Sequence, residues 1–240
     1  MVKIRDDEIY PNQPLVDVAC EVRFPGEMAV ECELNKFWDR IREQYSDIFV
    51  PPAKEGQPVA LQHYRFCTGE PRRTVSVALN SIAYSENQYR GHKLFMKEFL
   101  RVLAEFRKCF RAIDHVNRIG WRYVNVIPFM REEGLVPVKR LLHFDIKEPT
   151  ALFDNVSNFD VRFESRVRGG TAIVHAQAIA RKDQPQQEAL LLDIDFGKEG
   201  PDLRMRDVSK HISQARQFSR RYFEALITDE YREYLRGTKL

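Results

Sequence analysis

The 240-residue chain carries 38 Lys and Arg against 35 Asp and Glu, a formal net charge of +3, and is 43% hydrophobic. That composition can bury a real core and sets disorder aside, while the near-balance of charge excludes a strong global pull toward nucleic acid or anionic lipid. No uncharged apolar run is long enough to span a bilayer and MVKIRDDEIY lacks the apolar core of a secretory signal, so a cytoplasmic protein without membrane contact is expected.

Leu15 to Phe24 places Val16, Val18, Cys20, Val22 and Phe24 on alternate positions, the pattern of a half-buried strand. Pro25-Gly26 ends it. Leu34, Phe37, Trp38, Ile41 and Tyr45 then recur at helical spacing up to Pro51-Pro52. Two strand-like runs follow, Val59 to Cys67 and Thr74 to Ile82, separated by the hairpin-like TGEPRR. From Gly91 to Phe110 a helix is predicted, with Phe95, Phe99, Val102, Leu103, Phe106 and Phe110 along one stripe.

His115 to Phe129, HVNRIGWRYVNVIPF, alternates again. Ile119, Trp121, Tyr123, Asn125 and Ile127 share one face, and Arg118 and Arg122 share the other. Residues 130–158 mix Gly134, Pro137 and Pro149 with a short apolar run and read as a connector. Phe159 to Val167, the small-residue run Ala172 to Ala180 and Ala189 to Phe196 are three further strands, the first two joined by RGGT, whose glycines accept a tight turn. A long helix is predicted from Asp207 to Ile227 with Val208, Ile212, Ala215, Phe218, Tyr222 and Leu226 buried; Thr228 caps a final short helix that Gly237 ends.

Leu15 to Phe49 and Leu190 to Ile227 both read as strand, turn and amphipathic helix. The expected class is therefore α+β, with two related halves, each a mainly antiparallel curved sheet with a long helix on one face. The N-terminal half covers 1–130, the connector 131–158 and the C-terminal half 159–240. Cys20, Cys32, Cys67 and Cys109 form no CxxC pair; reduced thiols, no metal site and no cofactor are expected.

Three stretches, NQPLVDVACEVRF at 12–24, RIGWRYVNVI at 118–127, and LLLDIDF followed by the C-terminal FEALITDEYREYL, together resemble a sporadically distributed family of uncharacterised prokaryotic proteins over essentially the whole chain. Trp121 stands where that pattern more often has leucine. The resemblance implies no established activity; the family's patchy occurrence implies a mobile or defence-related gene context.

IGWRYVNV is also similar to the aromatic strand on which RNA-recognition modules stack bases, but Ile119 occupies the place of the basic residue before the glycine. Trp121 and Tyr123 share their face with Ile119 and Ile127, as core residues do, and core packing is the favoured reading. Arg118, Arg122 and Arg166, with Arg162 and Arg168, could grip phosphates, or could pair across strands with Asp193 and Asp195, or with Asp17 and Glu21. Pairing is the favoured alternative. His175 sits mid-strand beside Thr171 and Gln177 with no catalytic companion in sequence.

Arg118, Arg122, Arg166, His175, Asp193 and Asp195 are accordingly the candidate binding residues, with no catalytic residue assigned. The function expected is a non-enzymatic binding or interaction protein. Its basic C-terminal region, nine Lys or Arg against five Asp or Glu from Arg204 onward, presents Arg216, Arg220 and Arg221 to an acidic protein partner. A nucleic-acid-binding protein or nuclease, and a small-ligand or nucleotide sensor with a pocket between helix and sheet, are the alternatives. The sequence leaves the oligomeric state open.

Overall fold

In the computed structural model, which describes residues 9–52, 63–70, 72–144, 155–167, 169–180 and 187–238, the alternating runs become strands of one antiparallel sheet. In chain order these are β1 (Leu15–Arg23), β2 (Asp47–Phe49), β3 (Tyr64–Cys67), β4 (Arg73–Ala78), β5 (Ser81–Glu86), β6 (Arg118–Phe129), β7 (Asp160–Val167), β8 (Gly170–Ala180) and β9 (Glu188–Glu199). Their order across the sheet is β2-β3-β4-β5-β1-β6-β9-β8-β7. The helices are α1 (Met28–Cys32), α2 (Leu34–Ile41), α3 (His92–Cys109), α4 (Val138–Leu141), α5 (Val208–Leu226) and α6 (Asp229–Leu235). The class is α+β, as expected. Instead of one sheet for each half, β6 pairs with β1 on one side and with β9 over its whole length on the other.

Period decides which face each residue takes. Val18, Cys20 and Val22 on β1, Ile119, Trp121 and Tyr123 on β6, and Leu192, Ile194 and Phe196 on β9 all point to the helix side and are buried. Trp121 lies edge-on to Phe95 of α3 at 4.9 Å and perpendicular to Tyr123 at 5.5 Å. A buried ring of this kind typically contributes about 3–5 kcal/mol against truncation to alanine. The first core joins α1, α2 and α3 to β1 and β4–β6; the second joins α4 and α6 to β8 and β9. α5 spans both, with Ile212 and Ala215 in the first and Phe223 in the second. No helix among the described residues is long and apolar enough to cross a membrane.

Several elements differ from expectation. The run Thr74 to Ile82 is two strands, β4 and β5, reversed at Leu79-Asn80 with Ala78 opposite Ser81; a turn with neither Gly nor Pro leaves no punctuation in the sequence. The expected strand from Val59 survives as β3, and residues 59–62 lie outside the described residues, as do Pro149 and Arg168. Val16 is exposed rather than inward because a bulge interrupts the register between Leu15 and Asp17. The C-terminal signals read as expected: Thr228 Oγ1 accepts from Tyr231 N–H at 3.1 Å, and Gly237 takes φ +105° just past α6.

Candidate functional site

With every described helix on one face, the other face of the sheet is bare of them, and the predicted arginines stand on it. In the register Arg122 faces Asp195 and Val124 faces Asp193. The side chains ignore that pairing and reach diagonally, as long side chains on neighbouring strands can. Arg122 donates Nε–H and Nη2–H to Asp193 at 2.8 and 2.6 Å. Arg118 donates Nη2–H to both oxygens of Asp195 at 2.9 and 2.7 Å, and Nη1–H to Glu21 at 3.2 Å. Glu199 lies a further 3.6 Å from Arg118 Nε.

Arg118 is only 12% exposed although it belongs to a bare sheet face. The reason is the floor beneath it. A Cβ on Gly120 would stand 2.4 Å from Arg118 Nη1, and one on Gly197 would stand 2.8 Å from its Nε. The two glycines face each other across β6 and β9 and make a trough in which the guanidinium lies flat. Ala19 and Ala83 extend it into a shallow depression of about 190 Å³ bordered by Arg23, Arg118 and Arg122. Asp17 sits nearby. Its carboxyl is pushed up to about 6, chiefly by burial and then by Asp193, against the opposing pull of Arg122.

The remaining predicted residues lie toward the β7 edge. His175 Nε2 is 2.8 Å from Asp160 Oδ1, and the Gln177 amide donates to the other oxygen at 3.0 Å. Arg166 is exposed on β7, three strands from Arg118, roughly 14 Å at the usual spacing between strands. The structure thus brings together Arg118 with Asp195 and Arg122 with Asp193; His175 stands directly opposite Asp193 in the register of β8 and β9 but turns its ring to Asp160, and Arg166 lies apart on β7. Among the described residues no group of three or more His, Cys, Asp or Glu converges as a metal requires, and all four cysteines are free thiols.

On the helix side one expectation holds and one is corrected. Trp121 and Tyr123 are buried core side chains, the favoured reading, so they cannot serve as a base-stacking platform. Arg216 is 7% exposed and Arg220 is turned inward; only Arg221 of the three faces out. In the second half of α5 the expected Phe218, Tyr222 and Leu226 pack partly buried against the cores, and Arg216, Ser219, Phe223 and Glu224 are buried more deeply. A polar network makes this tolerable. Tyr10 donates its hydroxyl to Glu224 at 2.9 Å, Arg232 Nε donates to the same carboxylate at 3.3 Å, and Arg220 Nη2 stands 3.0 Å from it. Tyr10 comes from a segment before β1, more than 200 residues away, and no local pattern announces the contact.

No protein-family model matches the chain, and no curated protein does.

Proposed function

We propose that the chain is a non-enzymatic binding protein whose partner is another protein, docked on the helix-free face of the sheet. The observation that carries this reading is the internal satisfaction of the two arginines at the centre of that face. Arg118 holds two carboxylates within 3.2 Å and Arg122 holds a third, so these two guanidinium groups are already engaged and not held ready for a phosphate backbone. Between the charges runs a half-buried apolar strip that includes Val124, Val126, Leu191 and Ile173, with Val126 directly opposite Leu191. A surface of paired charges interleaved with apolar side chains suits a partner of low net charge.

Two related halves, 1–130 and 159–240, would together offer a broad, continuous docking face, because β6 of the first pairs with β9 of the second along its whole length. The family resemblance extends the reading to a mobile or defence-related gene context.

The test is recovery from native cells of a stoichiometric partner by the parent chain and its loss with Val126→Glu combined with Leu191→Glu, at unchanged circular dichroism. A parent that returns only itself, or a partner retained by the variant, overturns the reading. Nucleic-acid binding that weakens steeply as salt rises would replace it with the nucleic-acid alternative.

A further inference from the structure

Between the two cores, on the helix side, a small cavity of about 40 Å³ is lined by Tyr10, Gln13, Tyr89, Tyr123, Asn125 and Arg220 among others. About 10–15 Å³ on this measure admits one water, so the space suits a few waters or one compact polar group. Its mouth lies by Ile9, which is exposed, and Gln13.

The chemistry of the lining is rich in donors. Glu224, the carboxylate beside the cavity, is saturated: the Tyr10 hydroxyl reaches both of its oxygens at 2.9 Å, and Arg220 and Arg232 approach it from α5 and α6. Arg220 Nε is buried and makes no hydrogen bond among the described residues. The guanidinium is held in place by its ion pair and by the Tyr10 ring, whose centroid lies 5.0 Å from Cζ. Burial raises the Tyr89 hydroxyl well above the ordinary tyrosine range and raises that of Tyr123 as well, and the two hydroxyls hydrogen-bond each other, so the protonated pair keeps one O–H to donate at neutral pH. Arg216, one turn before Arg220 and buried, lies against the same two hydroxyls and adds positive potential.

We propose that this pocket binds a compact oxyanion, a carboxylate or phosphate group, with Arg220 and the hydrogen-bonded hydroxyl pair of Tyr89 and Tyr123 as its donors. A partly dehydrated guanidinium favours an anion over water because the low surrounding dielectric strengthens the charge-assisted hydrogen bond. The tyrosine pair adds a directed neutral donor, which an oxyanion accepts and a cation or an apolar group does not. The site is on the opposite side of the sheet from the proposed protein-docking face, so either can fail alone.

The test is calorimetric titration of the full chain with inorganic phosphate and, separately, acetate, at fixed ionic strength with chloride as the reference anion. One of the two is expected to bind with millimolar or tighter affinity, and which one does so distinguishes phosphate from carboxylate. Tyr89→Phe and Tyr123→Phe each delete one hydroxyl of the pair without changing the side-chain volume, and each is expected to weaken binding about tenfold. If one variant fails to fold, the other still reads the site. No heat and no rise in Tm with either anion at 10-fold that concentration range, on the order of tens of millimolar, overturns the proposal. A rise in Tm equal in parent and variants also overturns it, because that is the mark of ions excluded from the general surface.

Discussion

Two of the arginine–carboxylate clusters, one on the bare sheet face and one beneath α5, differ in their surroundings, and the contrast between them shows what burial does to an ion pair. On the bare sheet face Arg122, 52% exposed, meets Asp193. Beneath α5, Arg232 and Glu224 are 8% and 3% exposed and Arg220 joins them. The residue types are the same and the surroundings are not. In water the attraction within a pair is offset by lost solvation and side-chain entropy, so an exposed pair contributes about 0–1 kcal/mol. Away from water, breaking a pair leaves a charge stranded, and the cost rises to about 3–5 kcal/mol.

The largest expected effect tests that contrast directly. Glu224→Gln removes the one charge that Arg220, Arg232 and Tyr10 share, and urea unfolding at neutral pH should show a loss of about 3–5 kcal/mol. Asp193→Asn removes the carboxylate of the exposed pair and should cost within about 1 kcal/mol. Equal costs would dissolve the distinction between the two clusters. Tyr10→Phe, which deletes a single hydroxyl from the buried set, should fall between them at roughly 1–2 kcal/mol.

Arg118 occupies the intermediate case, a charge on an open face made partly dry by its own trough. Gly120→Ala would drive a methyl to 2.4 Å from Arg118 Nη1. The end of an arginine can swing away, but here doing so breaks its bonds to Asp195 and Glu21, and a loss of about 1–2 kcal/mol is expected. In an Arg118→Ala background the same glycine change should cost little, because the group it displaces is gone. A double-mutant cycle measures the difference; additive costs would mean that the trough does not act through Arg118.

How much of this was legible in the sequence follows from the range of each interaction. β1, α3 and β6 declare themselves by period, since a face buried along its whole length repeats at every second or every third to fourth residue. The pairing of Arg118 and Arg122 with aspartates two apart on β9 was readable as an alternative. Which arginine takes which aspartate was not, because the diagonal reach depends on register and on the space above Gly120 and Gly197. The inward turn of Arg216, Arg220 and Glu224 was hidden more deeply. On α5 they look like a solvated face; Tyr10 and Arg232, distant in sequence from each other, make the burial of Arg220 and Glu224 tolerable, and the Tyr89 and Tyr123 hydroxyls lie against Arg216.

Asp17 lies within reach of the exposed pair and reports on its field. Its folded-state value is pushed up to about 6 from 3.8, so the folded chain holds this proton more tightly than the unfolded chain does. The resulting stabilisation is fully present below about 3.8 and is lost as pH rises through about 6, the reverse of an ordinary paired carboxylate. Asp17→Asn removes that loss and should leave the protein more stable than its parent at pH 8 by about 1–2 kcal/mol, after allowance for solvent screening. The neighbours give opposite signs. Arg122 lowers the Asp17 value and Asp193 raises it, so Arg122→Ala should move the titration upward and Asp193→Asn should move it downward, the latter also releasing Arg122 to face Asp17. Carboxyl titration by NMR reads both shifts; no movement in either variant would mean that burial alone sets Asp17, and that the charge pair on the bare face has no measurable field beyond its own two residues.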